Sequence, residues 1–253
     1  MFKMKISLLA LALLSGSSLA ASINDVNRLP DNEVKAKKGL HGQVGLAAAS
    51  LPEFVGSDES KTSVLPIINV HYNDRFYFKF NRLGAWLYKN DNGFRFGGVV
   101  TSHSGYDKED IKNNELAQSW GDRDASFMAG LNVAYRYQKL NIEAGYVTDV
   151  SNNSEGAKFY TSASYTVFAD KEKTLTLNAR IERLDEDMVG YYYGIDEATL
   201  NTTLGVIGTY KLSKNWTAIG AVTVTALGDE VSDSVISTDD KANVALLGAV
   251  YSF

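Results

Sequence analysis

The chain has 253 residues, 45% of them apolar, with a formal net charge of −5 and no cysteine. Without cysteine there are no disulfides, thiolate metal sites or cysteine nucleophiles, and a chain this acidic with no basic cluster is a poor partner for nucleic acid. No linker rich in Pro, Gly or Ser divides it, so it reads as one large domain behind an export signal.

Lys3 and Lys5, the apolar run Ile6 to Leu14 and the small residues Ser18 and Ala20 follow the three-part plan of a signal peptide over residues 1–20, cleaved near Ala20. Removing the two lysines leaves 23 basic against 30 acidic side chains, a net charge of about −7. Residues 21–38 are polar and mixed in charge, with neither helical nor strand period, and read as a periplasmic leader of weak order. No other run approaches the roughly 18 apolar residues of a membrane helix, so a membrane span has to be made of strands.

From residue 39 the chain alternates with period two, and residues 39–51 form the first strand. Residues 63–72 follow, with Pro66 as a warning, because proline cannot donate to a ladder and belongs at edges or bulges. Asn73 and Asp74 turn the chain into residues 75–80, where Phe76, Phe78 and Phe80 alternate with Arg75, Tyr77 and Lys79. A break at residues 81–84, a short strand at 85–89 and an Asn-Asp-Asn-Gly turn at 90–93 lead to a strand at 94–103. A long polar stretch ends near Asp122. Further strands are expected at 124–137, 140–150, 157–169, 174–183, 199–211, 216–226 and 243–253.

The connections alternate between short and long, and nearly all the long ones are acidic. Short periplasmic turns and longer outer loops are the asymmetry of a transmembrane antiparallel up-and-down β-barrel. The break at residues 81–84 gives twelve strands, the even number that leaves both termini on the periplasmic side. The fold expected for residues 39–253 is therefore an all-β, twelve-strand outer-membrane barrel in contact with lipid. Its last strand closes the cylinder, with Tyr251 and Phe253 on the lipid face and Phe253 at the periplasmic rim.

Charges on the strands fall on the polar phase: Arg75, Lys79, Arg95, Arg136, Glu143, Arg180 and Glu182. An arginine facing lipid at mid-depth costs roughly 2–4 kcal/mol, so these should point into the lumen among small residues. A barrel of this size is wide enough for a water-filled interior unless side chains or a loop fill it.

Of the three histidines, His41 and His71 lie on strands far apart in sequence with no ligand spacing, and no local pattern supplies an orienting partner to His103 beside Ser104, so neither a metal site nor a catalytic His103–Ser104 pair is expected. Residues 184–198 and 227–242 are acid-rich without an EF-hand pattern and read as solvated outer loops. Tyr191, Tyr192 and Tyr193 suit loop packing or an aromatic girdle better than a partner patch. No nucleotide, nucleophile-elbow or zinc motif occurs in context, so no cofactor and no enzyme activity are expected.

Several short motifs, in order, resemble the MltA-interacting protein (MipA)/OmpV family. They are Pro52-Glu-Phe-Val-Gly56-Ser57, the Pro66 strand followed by Asp74-Arg75-Phe76, Gly121-Asp-Arg-Asp124 before Gly130-Leu131, Tyr192-Tyr193-Gly194, and the closing Val-Tyr-Ser-Phe. Phe54 stands where that family often has Tyr. The resemblance implies an outer-membrane barrel without catalytic residues. For some members it implies a scaffold joining a lytic transglycosylase to a peptidoglycan synthase. A small pore or uptake channel, or a surface adhesin or antigen, is the alternative.

Overall fold

A computed structural model describes residues 38–111 and 115–253; the expected signal peptide and most of the expected leader lie outside them. Twelve strands pair in the order β1-β12-β11-β10-β9-β8-β7-β6-β5-β4-β3-β2, a closed barrel whose ladders are all antiparallel. The strands are β1 Leu40–Pro52, β2 Ser60–Tyr72, β3 Phe76–Lys79, β4 Arg82–Lys89, β5 Phe94–His103, β6 Ser126–Tyr137, β7 Leu140–Asp149, β8 Ala157–Ala169, β9 Lys173–Leu184, β10 Thr199–Lys211, β11 Trp216–Ala226 and β12 Lys241–Ser252. Among the described residues, three short α-helices lie in the long loops, α1 Glu115–Gln118, α2 Glu186–Tyr193 and α3 Asp229–Ser232, with a 3-10 turn at Lys108–Asp110.

Period-two alternation sets the two surfaces. On β6, Phe127, Leu131, Val133, Tyr135 and Tyr137 are exposed, while Met128 and Asn132 are buried on the opposite face. A water-soluble protein does not display such apolar rows on strand after strand, and a lipid-facing belt does. β12 follows the same phase. Leu247 and Tyr251 are exposed, Val244, Leu246 and Val250 are buried, and Val44 of β1 pairs with Tyr251. Gly42 and Phe253 exchange backbone hydrogen bonds of 3.2 and 3.1 Å across the seam.

The twelfth strand exists because the chain turns between β3 and β4, but at Phe80 and Asn81 rather than at 81–84. Phe80 adopts φ 49°, which breaks the alternation of its strand and swings its ring inward, where it is 1% exposed. Arg82 thereby becomes a strand residue. Arg75, expected in the lumen, sits in the β2–β3 turn and is exposed, because the ladder between those strands begins only at Tyr72 and Phe76.

β3 is four residues long, so the wall is low here and the β3–β4 connection is an exception to the pattern of long outer loops. Above Ile68, whose carbonyl accepts from Phe80 N at 2.8 Å, β2 pairs with β1 alone among the described residues. Backbone direction alternates along a strand, so the nitrogen of Pro66 points to the same side as the Ile68 carbonyl. The proline thus stands at an open edge, where a missing N–H costs no ladder bond.

Candidate functional site in the lumen and its outer lid

The interior divides into two sectors. Around β10, β11, β12, β1 and β2, the inward residues Leu65, Ile67, Phe80, Ile207, Ile219, Leu246 and Val250 make an apolar cluster. The expected lumen of mixed charges and small residues is therefore corrected for this sector. Once β2 loses its outer neighbour, the Phe80 ring and the aliphatic chains opposite can close over one another and exclude water.

The other sector, over β4 to β9, is ionic. Arg82 Nη2 donates to Glu143 Oε1 at 2.7 Å and also bonds the Tyr160 hydroxyl. Tyr160 donates to Glu143 at 3.3 Å. Asn132 Nδ2 donates to the Tyr77 hydroxyl at 3.0 Å and to Glu143 at 3.4 Å. A second group lies alongside: Arg180 bonds Glu182 at 2.6 Å, and Lys158 stands 3.8 Å from the same carboxylate. The Tyr160 ring links the two groups, with Arg82 Cζ 4.8 Å and Arg180 Cζ 4.4 Å from its centroid. Arg82, Glu143, Lys158, Tyr160, Arg180 and Glu182 are all buried. Buried charges are tolerable when each is paired and hydrogen-bonded, and here each carboxylate meets at least one cation. A cavity of about 20 Å³ beside Arg180, Glu182 and His103 has room for about one water.

Of the charges expected in the lumen, Glu143, Arg180 and Glu182 lie in this network. Lys79, Arg95 and Arg136 face inward nearer the periplasmic end and are half-buried. The sequence reading missed Arg82, which it placed in a turn, together with Lys158 and Tyr160. Lys158 carried a usable signal, because it falls in phase with Tyr160 on β8.

The outer end is closed by a lid to which almost every long loop contributes. Residues 184–198, read as a solvated loop, contain α2. The Asp185 carboxylate caps its first turn, accepting from Met188 N at 3.1 Å while also holding Ala157 N at 2.6 Å. Gly194 ends it in the left-handed conformation, φ 72°. Met188, Val189, Tyr192 and Tyr193 pack down onto Val99, Met128 and Val147 of the barrel wall, and onto Tyr106, Ile111, Leu227, Val231 and Ile236 of neighbouring loops.

Hydrogen bonds lock the lid. The Tyr192 hydroxyl accepts from Ser126 N at 3.0 Å and donates to the Asp124 carbonyl at 3.1 Å. Tyr106 donates to the Tyr192 carbonyl at 2.7 Å, and Ser234 to that of Tyr193 at 2.6 Å. Residues 227–242, also read as solvated, hold α3 and are clamped by Gly56, whose carbonyl accepts from Thr238 N at 2.7 Å and Asp239 N at 3.0 Å. Pro52, Gly56 and Ser57 are buried at this joint. Burial raises the hydroxyl pKa of Tyr106, Tyr192 and Tyr193 above the ordinary value.

His103 is buried, its ring 4.6 Å from that of Tyr192, and its Nδ1 meets no hydrogen-bond partner among the described residues. His41 and His71 stack at 5.6 Å near the periplasmic mouth, where His41 Nε2 lies 2.8 Å from Asp74 Oδ1.

A closed twelve-strand barrel with an apolar outer belt, short turns at one end and a loop lid at the other defines an outer-membrane β-barrel protein. The family model described as MltA-interacting protein MipA matches residues 44–253, and the chain belongs to that family. The MltA-interacting protein of Escherichia coli (strain K12) is 23% identical over 207 residues, covering 76% of this chain and 83% of that protein. The Shigella flexneri protein of the same name gives the same figures. Among solved structures, the NanC porin superposes with a TM-score of 0.50 at 9% identity, over 83% of this chain and 100% of that one, and shares the fold.

Proposed function

We propose that this protein is a non-enzymatic docking platform of the outer membrane, exported by its signal peptide, that holds a lytic transglycosylase and a peptidoglycan synthase together at the inner face of the membrane. Membership of a family named for interaction with MltA supports the first partner. The observation that carries the reading is the filled interior: Arg82, Glu143, Tyr160, Arg180 and Glu182 occupy one sector, the Phe80 cluster the other, and the α2 lid stands above them. Such an interior favours docking over conduction. The periplasmic turns supply an exposed surface, with Lys139, Lys171 and Lys214 on the β6–β7, β8–β9 and β10–β11 connections and Lys173 and Lys211 at the strand ends beside them.

The test is photo-crosslinking in intact cells from a probe at Lys171 or Lys214, with a probe at Asp196 of the outer loops as control. Docking predicts that the periplasmic probes capture a murein hydrolase and a synthase and that the outer probe captures neither. Equal capture from both faces, or none from the periplasmic one, contradicts it.

A further inference from the structure

The lipid face of the barrel is hollowed where β10, β11, β12 and β1 run side by side. Outward residues of neighbouring strands stand level with one another through the ladders. At mid-depth Gly208 of β10 pairs with Gly220 of β11, so two adjacent strands present no side chain at the same height. Above them Val206 pairs with Val222, and Val222 with Ala245. The result is an apolar concavity of about 440 Å³ that opens toward lipid, within the range of about 300–1,000 Å³ found for ligand sites.

Packing does not demand glycine at these two positions. A Cβ added at Gly208 would meet no atom within 4 Å, and one at Gly220 would make ordinary contacts, 3.7 Å from Leu247 Cδ1 and 3.8 Å from the Leu246 carbonyl oxygen. Neither residue has the positive φ that excludes a side chain. What the two glycines provide is room on the lipid side.

The periplasmic end of the hollow suits a headgroup. Tyr210, Trp216 and Tyr251 are exposed on the lipid face, where such rings sit at headgroup level. Lys173 pairs with Tyr210 across the β9–β10 ladder, stands in phase with the exposed Leu175 and Leu177, and holds its Nζ 5.6 Å from the Tyr210 centroid. A lysine so placed keeps its stem on the apolar wall and its ammonium among the headgroups.

Lys211 and Lys214 are exposed beside it, and residues 211–215 contain no acid. Of the two carboxylates in the β8–β9 turn, Asp170 folds back to accept from Glu172 N at 2.8 Å and Lys173 N at 2.7 Å, and Glu172 is exposed. Beyond the outer ends of β11 and β12, residues 227–242 carry five acids and one lysine. The field along this wall therefore favours an anion at the periplasmic end.

We propose that the hollow binds an anionic phospholipid of the periplasmic leaflet, with its phosphate at Lys173, Lys211 and Lys214 and one acyl chain over Gly208 and Gly220. The site faces lipid rather than the periplasm and stands whether or not enzymes dock. Charge-assisted bonds from ammonium to phosphate select the headgroup. The apolar wall that continues from it toward mid-membrane selects a ligand with a chain over free phosphate.

The full-chain barrel in detergent is loaded with phosphatidylglycerol, with phosphatidylethanolamine of the same chains, or with inorganic phosphate, and retained ligand is counted by native mass spectrometry. One phosphatidylglycerol should stay bound where phosphatidylethanolamine is stripped, and phosphate should not displace it. Lys173→Gln and Lys214→Gln should each weaken retention about fivefold, the worth of one basic residue at a membrane surface. Lys173→Arg should keep it, and Lys139→Gln on the β6–β7 turn should change nothing. Gly208→Leu fills the hollow from a position with open space around it and should weaken retention by at least as much as either lysine change. Equal retention of the two lipids or displacement by phosphate overturns the proposal. So does unaltered retention in either Gly208→Leu or the double Lys173→Gln, Lys214→Gln variant, in barrels that still shift on heating in gels.

Discussion

Arg82 and Glu143 meet at 2.7 Å inside the barrel, although one stands on β4, the other on β7, and those strands do not pair. The bond spans the two intervening strands on the inner side of the wall and ties β4 to β7 in a way that no ladder does. It also sets the energetics of the interior.

Removing one partner leaves the other charged and buried, which costs about 3–5 kcal/mol. Glu143→Leu should therefore lower stability by about that amount in urea unfolding from micelles. The double change Arg82→Met with Glu143→Leu should recover most of it, because a well-packed apolar pair replaces an ion pair at little cost. If the double variant is as unstable as the single one, the pair is not the unit that holds this level of the lumen.

The lid depends on Gly194. Its φ of 72° disfavours any side chain, and an added Cβ would come within 2.4 Å of the Trp120 ring. Gly194→Ala should cost about 1–3 kcal/mol locally and loosen α2 without opening the ladders. Limited proteolysis of intact cells should then cut within residues 185–198, while the heat-dependent gel shift of the barrel stays intact.

Alkali should loosen the same lid. Because burial raises the pKa of Tyr106, Tyr192 and Tyr193 above 10.0, their contribution to stability is fully present below pH 10 and is lost as the pH rises through the folded-state values. Tyrosinate absorbance should show a delayed group ionising after the exposed tyrosines, together with protease sensitivity of the lid. Tyr193→Phe should shrink the delayed group. A single ionisation near pH 10 with no lag contradicts the packing described for α2.

The seam between β1 and β12 ends on Phe253, whose ring is exposed on the lipid side and whose backbone bonds Gly42. Phe253→Ala keeps the backbone bonds and removes the ring. It should slow assembly, seen as delayed appearance of the heat-shifted form after a pulse of synthesis, while changing the stability of the finished barrel by less than about 1 kcal/mol. Normal assembly with lowered stability would reverse the roles assigned to ring and backbone.

The lipid face of β12 was legible because the side-chain period is two, which puts Leu247 and Tyr251 on one face and Leu246 and Val250 on the other. Turn chemistry at Asn73 and Asp74, both at positive φ, was legible for the same local reason. What escaped was non-local. The partnership of Arg82 and Glu143 spans 61 residues, and no periodicity reports it. Phe80 was assigned to the lipid face because its φ of 49° cannot be read from an unbroken alternation. α2 was overlooked although its signals were present, with Asp185 at the N-cap and Gly194 at the C-cap. A two-turn helix inside an acidic stretch is stabilised mainly by the barrel mouth beneath it, which the sequence does not display.

Ion conductance across a planar bilayer tests the central claim most directly. With the Arg82–Glu143 and Arg180–Glu182 pairs at one side, the Phe80 cluster at the other and the α2 lid above, the inserted protein should give no steady current at moderate voltage. Gly194→Ala alone should leave it closed, because the network lies beneath the lid. A stable ohmic step from the unaltered barrel would contradict the account, since it requires a continuous water path where the structure places packed side chains.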